Sequence, residues 1–190
     1  GDAANLQNKK LFDIAVEEWQ RLIKTFPADP LAKKAQFYLA VCQREQKQYS
    51  QAAASFDISV TKYKPFEFTE EAYYQLGWCR FTIAAGKKGD DRAALLADSI
   101  TAFSDGITKY AKGPFADDGL YFRGEAHYKL GNLDEAIAGY QELVDNVTYA
   151  KSNVRNIGLY ALGVTYEELK KDQDAGKLYD PFLEEFPEDK

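Results

Sequence analysis

Apolar residues recur three and four positions apart over stretches of 12 to 18 residues along most of the chain, and polar, glycine- or proline-bearing breaks separate the stretches. That period keeps the apolar side chains on one face of a helix, so the pattern predicts an all-α chain of amphipathic helices. Four stretches open alike: AQFYLAVC at 35–42, AYYQLGWC at 72–79, GLYFRGEA at 119–126 and GLYALGVT at 158–165. In each, a small residue is followed two positions on by an aromatic and three further by a second small residue. The small pairs are Ala35/Ala40, Ala72/Gly77, Gly119/Gly124 and Gly158/Gly163, and the units are spaced 37, 47 and 39 residues apart.

A second apolar-periodic segment follows each of these: 52–63, 99–110, 136–144 and 175–186, with a first copy, AVEEWQRLIKTFP, at 15–27. Turn chemistry separates the two segments of a unit. Asp29-Pro30 reads as a capping residue before a proline at the first helical position, and Leu130-Gly131-Asn132 as a glycine stop followed by a capping-box-like pair, Asn132 and Glu135. Each unit is therefore predicted to be a helix hairpin. A lone hairpin has nothing to bury its apolar stripe against, so the units must stack and share a core.

These residues resemble the tetratricopeptide repeat, whose first helix carries Trp/Tyr, Leu-Gly and Tyr and whose second carries Ala, Phe, Ala and Pro. The last unit matches most closely, with Leu162-Gly163, Tyr166, Ala175, Tyr179 and Pro187, and Phe182 at the second small position. Twelve residues separate the small positions of the two helices in three units: Ala40 to Ala52, Gly124 to Ala136 and Gly163 to Ala175. The resemblance implies a right-handed α-α superhelix of about nine to ten helices, built from stacked hairpins. Its units run 1–27 (partial), 28–65, 66–113, 114–150 and 151–187. The Phe26-Pro27 and Phe186-Pro187 endings are similar to those of bacterial envelope repeat proteins of the Tol-Pal-associated and outer-membrane assembly lipoprotein type, which implies a periplasmic or envelope location, with the cytoplasm as the alternative.

Two departures from the family pattern stand out. Unit three carries an insertion near 86–95, since Gly77 to Ser99 spans 22 positions where other units span 12. Gly86-Lys-Lys-Gly89 reads as a helix stop and Asp90-Asp91 as the cap of a lengthened helix whose Ala93, Leu96, Ile100, Phe103 and Ile107 share one face and which projects beyond its neighbours. Arg123 occupies a position where leucine is usual, which points to a local polar contact or a distorted unit.

In this family the first helices line a concave face, through the residues three before and one after the second small position. Here these are Phe37 and Val41, Tyr74 and Trp78, Tyr121 and Glu125, and Tyr160 and Val164, with Arg44, Phe81, Tyr128 and Glu167 a turn later. An aromatic recurs in every unit. Adjacent helices lie about 10 Å apart, close to three residues of extended chain at ~3.3 Å each, so a stripe of rings suits an extended or helical peptide. The alternative is that the rings pack one helix against the next. Chaperone-adaptor members of the family grip a C-terminal carboxylate with lysine and asparagine at these positions; aromatic residues stand there instead, so a carboxylate clamp is not expected.

Composition narrows the function classes. The 190 residues are 45% hydrophobic and 28% charged, with a net charge of −6, which excludes a disordered chain. No apolar run reaches the ~18 to 20 residues of a membrane span, and pI 5.0 argues against a nucleic-acid groove. Residues 1–64 carry 10 basic and 7 acidic groups and the remainder 14 and 23, so the second part is strongly acidic, either as a solvated face or toward a basic partner. With no methionine and a Gly1-Asp2 start, the sequence reads as an excised fragment with further repeats in its parent.

Other candidates for chemistry are weak. Cys42 and Cys79 occupy the same position in adjacent units and read as buried, unbridged thiols. His127, the sole histidine, reads as packing. Asp172-Gln-Asp174 lacks the glycine and glutamate of a calcium loop and reads as a helix-connecting turn, and Asn146-Val-Thr148 fits a glycosylation acceptor. Neighbouring carboxylates on a helix diverge by about 100° and do not converge on one substrate. No cofactor or metal is expected, and a glycan-active role for Glu125 and Glu167 has little support. The expected function is a non-catalytic scaffold for a protein or peptide partner; the alternative is a structural or self-associating segment of a larger envelope protein.

Overall fold

The computed structural model describes the backbone of residues 2–185 and the side chains of residues 10–179. Among the described residues the chain forms nine α-helices and no strand: α1 (Asp2–Thr25), α2 (Ala32–Glu45), α3 (Tyr49–Thr61), α4 (Thr69–Ala85), α5 (Gly89–Lys109), α6 (Ala116–Leu130), α7 (Leu133–Asp145), α8 (Arg155–Glu168) and α9 (Asp172–Glu185). A 3-10 turn, Val147–Tyr149, lies between α7 and α8. The chain divides into two compact units, 1–102 and 103–190, with the boundary inside α5.

In the first unit, Phe37, Phe56, Leu76 and Cys79 meet at a core floored by Ala40, Ala52, Ala72 and Ala102. The alanines stand where the helices cross, because a small side chain lets two helix backbones approach and lets the rings fill the space between them. Burying one such ring contributes about 1.5–3 kcal/mol. Polar groups knit the same unit: Arg80 donates to Asp57 Oδ1 at 3.0 Å and to the Asp98 carbonyl at 3.2 Å, while buried Gln36 donates to the Ser55 carbonyl at 3.1 Å and Ser99 to the Gly77 carbonyl at 2.9 Å.

The second unit repeats the scheme with Ile137, Tyr140, Leu162 and Tyr166 around Ala136 and Ala175. Its helices come closer still: a Cβ added at Gly139 would stand 3.4 Å from the Gly124 Cα, so α6 and α7 touch backbone to backbone. Arg123 makes the polar contact expected of it, donating to Glu142 Oε2 at 2.7 Å across the α6–α7 pair. Tyr149 is buried and donates its hydroxyl to the Ala111 carbonyl at 2.8 Å, tying the 3-10 turn to the start of the unit. In that turn the Asn146 side chain accepts from the Thr148 amide at 3.0 Å.

One turn geometry closes the first helix of three hairpins. Lys47 (φ 60°), Gly131 (φ 79°) and Lys170 (φ 56°) are left-handed, each seven residues after the small positions Ala40, Gly124 and Gly163. The next amide reaches five residues back in every case: Gln48 to the Gln43 carbonyl, Asn132 to His127 and Lys171 to Tyr166, at 2.9, 3.0 and 2.9 Å. This is the Schellman closure, which satisfies carbonyls a helix end leaves open. The matching position after Gly77 is Ala84, which is buried inside a helix that runs on to Ala85. The insertion therefore lengthens both helices, α4 to 17 residues and α5 to 21.

Several local expectations need correction. Asp29 does not cap a helix beginning at Pro30: its Oδ1 accepts from the Leu31 amide at 2.8 Å, a turn that delays α2 to Ala32. Asn132 precedes α7 without a side-chain capping bond. Ala93 is exposed, because α5 starts more than a turn before Leu96, where its burial begins. Asp172 and Asp174 lie in the first turn of α9 rather than in the connection, which is formed by Leu169–Lys171; carboxylates at a helix N-terminus favour its dipole. Pro187 and the Phe186-Pro187 ending lie outside the described residues, as does the Phe182 side chain.

Candidate partner-binding surfaces

In the second unit, α6 and α8 place residues from two successive repeats on one open cavity of about 290 Å³, lined by Tyr121, Glu125 and Tyr128 from α6 and Tyr160 and Val164 from α8. The spacing explains the convergence: residues three and four apart on a helix share a face. Tyr160 is 61% exposed and Ile157, a turn before it, is also exposed, so the α8 side offers apolar surface to solvent. Tyr140 of α7 forms the floor. It is fully buried and donates its hydroxyl to Glu125 Oε1 at 2.7 Å.

Burial and the Glu125 carboxylate both disfavour the phenolate at Tyr121, whose pKa is pushed up to about 12, and the same causes raise that of Tyr140. Tyr128 is also raised, by desolvation and by its hydrogen bond to Glu168. Tyr179 is held at about 12 by burial and its hydrogen bond to Glu167. These rings are neutral hydroxyl donors at physiological pH. Lys129 Nζ stands 3.8 Å from Glu125 Oε2.

In the first unit, Arg44, Tyr74 and Trp78 line a second cavity of about 340 Å³ with Glu45, Lys47, Tyr49 and Gln75. Trp78 packs edge-on against Tyr49, ring centroids 5.6 Å apart, and Arg44 pairs with Glu45. Val41 packs against the core and Phe81 is half-buried. Phe37 is the correction to the expected stripe: it is 3% exposed, stacked on Phe68 at 4.7 Å and edge-on to Phe56 at 5.8 Å. The segment leading into α4 folds Phe66 and Phe68 over α2, and that cover turns a surface position into core. Its neighbour Tyr38 is exposed instead and stacks on Trp19 at 5.6 Å.

Sequence reasoning missed Tyr140, Ile157, Tyr49 and Gln75 as lining residues. Tyr140 and Tyr49 lie on second helices, where an aromatic reads as packing; Ile157 precedes the first small residue and so falls outside the register positions read from the repeat.

Cys42, Cys79 and His127 line neither of these two cavities. Cys42 and Cys79 are buried free thiols, with Cys79 pushed up to about 12 by burial. His127 is half-buried, which lowers its pKa. Among the described residues no cluster of histidine, cysteine and carboxylate side chains could hold a metal ion, and no helix is long and apolar enough to cross a membrane.

Comparison with known proteins accords with the fold. One model described as tetratricopeptide repeat matches residues 6–65 and 91–151, and another of the same description matches 158–189. The longest unmatched stretch, 66–90, contains the whole of the lengthened α4. No curated protein sequence matches the chain. Among solved structures, MamA is similar at TM-score 0.73 and 20% identity, over 100% of this chain and 96% of that one. The nearly identical TPR-like repeats of a kinesin-light-chain-type protein from Podosopora anserina give 0.71 and 15%, over 97% and 89%. TTC0263, a thermophilic TPR protein in Thermus thermophilus, gives 0.59 and 18%, over 98% and 89%. At these identities the likeness is one of fold. With repeat models covering well over half of its residues and the small-residue hairpins they describe present in the fold, the chain belongs to the tetratricopeptide repeat family.

Proposed function

We propose that this chain is a non-catalytic scaffold that holds a peptide or protein segment against the aromatic surfaces of its first helices. Repeats of this family generally mediate protein–protein interaction. The observation that carries the reading is the meeting of Tyr121, Glu125, Tyr128, Tyr160 and Val164, drawn from two repeats, on one open cavity. Aromatic side chains supply large contact area at low entropic cost, and interface energetics concentrate on such anchors. In the first unit Tyr74, Trp78 and Arg44 supply a second, mixed-charge surface.

The test is site-specific photocrosslinking in the source cell, with a benzophenone side chain at Tyr160, at Tyr74 and, as a control, at exposed Ala138 of α7. The expected result is a discrete heterologous adduct at Tyr160 or Tyr74 and none at Ala138. Adducts only to the chain itself favour the second reading, a self-associating structural segment, which draws support from the exposed Leu11 and Ile14 of α1 and Phe26 just after it. The proposed compartment is the bacterial periplasm or envelope, on the likeness of the repeat endings; fractionation of the source cell tests it against the cytoplasm.

A further inference from the structure

We propose that the α6–α8 cavity takes a cationic side chain, lysine or arginine, of the bound partner; this rests on the scaffold reading above. Tyr121, Tyr128 and Tyr160 wall the cavity, and Glu125 stands among them with a side chain only 21% exposed. One carboxylate oxygen accepts from the Tyr140 hydroxyl at 2.7 Å, while the other makes a long ion pair with Lys129 Nζ at 3.8 Å, beyond hydrogen-bond distance. A partly desolvated carboxylate whose second oxygen has only this long ion pair and no hydrogen bond is a site for an incoming N–H donor.

The rings act in the same direction. Their faces carry negative potential and attract an ammonium or guanidinium group within about 6 Å. An anionic group would meet the ring faces and Glu125 together. A neutral apolar side chain would cover Glu125 without satisfying it, at the cost of its remaining hydration. Long-range charge agrees: residues 103–190 hold 10 basic and 17 acidic groups, net −7, against 14 and 13, net +1, in residues 1–102. Such a field steers a basic segment toward the second unit.

The test uses the whole chain with ¹³C-labelled tyrosine rings, titrated with N-acetyl-Gly-Arg-Gly-amide and with the same peptide carrying citrulline, which keeps the shape and removes the charge. The expected result is movement of the Tyr160 and Tyr121 signals, with arginine bound at least about fivefold tighter than citrulline, and the preference erased in Glu125→Gln, whose amide oxygen still accepts from Tyr140. A Tyr160→Ala variant, altered at an exposed position, should weaken both peptides. Equal binding of arginine and citrulline overturns the cation assignment but leaves the scaffold reading standing. No response of the cavity to either peptide at ~10 mM, together with no crosslink at Tyr160, overturns both.

Discussion

The ring of Tyr140 occupies the space that a side chain at Gly124 would need: a Cβ there would stand 2.5 Å from Tyr140 Cε1. Tyr179 does the same to Gly163, again at 2.5 Å, and in both repeats the pair is 16 residues apart. The small residue of the first helix is thus the seat of the aromatic of the second. The expected consequence is that Gly124→Ala destabilises the chain by about 1–3 kcal/mol by overpacking, despite alanine's better helix propensity. Urea unfolding followed by circular dichroism measures it; a stabilised variant would show that the ring swings aside freely.

The Schellman turns allow a prediction of opposite sign. Lys47 and Lys170 adopt the left-handed conformation that glycine supplies at Gly131. A side chain there costs about 1 kcal/mol, so Lys47→Gly and Lys170→Gly should each stabilise by roughly 0.5–1 kcal/mol, and Gly131→Ala should destabilise by a similar amount. Both lysines are exposed, so no packing is lost.

Alkaline pH should unfold the protein. Tyr121 and Tyr179 rise from an ordinary 10.0 to about 12, and Cys79 from 9.0 to about 12, all chiefly through burial. Each group is raised in the folded state, so its contribution is fully present below the unfolded value and is lost as pH climbs toward the folded one. The urea midpoint should therefore hold to about pH 9 and fall between pH 9 and 12, with tyrosinate absorbance lagging that of the urea-unfolded chain. Cys79 should resist a thiol reagent at pH 8 until denaturant is added.

Phe37 and Tyr160 occupy the same register position and should behave as opposites. Phe37→Ala removes a ring from the first unit's core and should cost about 3–5 kcal/mol. Tyr160→Ala acts at a largely exposed ring and should change stability by less than about 1 kcal/mol while weakening partner binding. Denaturation midpoints and the crosslinking yield of the two variants separate stability from recognition.

The spacing of small and aromatic residues by itself determined the all-helical fold, the hairpin units and the site of the insertion, because those follow from a period of about 3.6 and from steric size at helix crossings, both local properties. It also placed Tyr121, Glu125, Tyr128, Tyr160 and Val164 on a shared face, since register within a repeat survives stacking. Tertiary structure alone decided which ring of each register is covered. Phe37 is buried because Phe66 and Phe68, some 30 residues downstream, fold onto it, and no periodicity encodes a contact made by a connecting segment. The same holds for the hydroxyl of Tyr140: a helical pattern marks it as core, and only the approach of α7 to α6 brings it to Glu125 and fixes the carboxylate at the cavity floor.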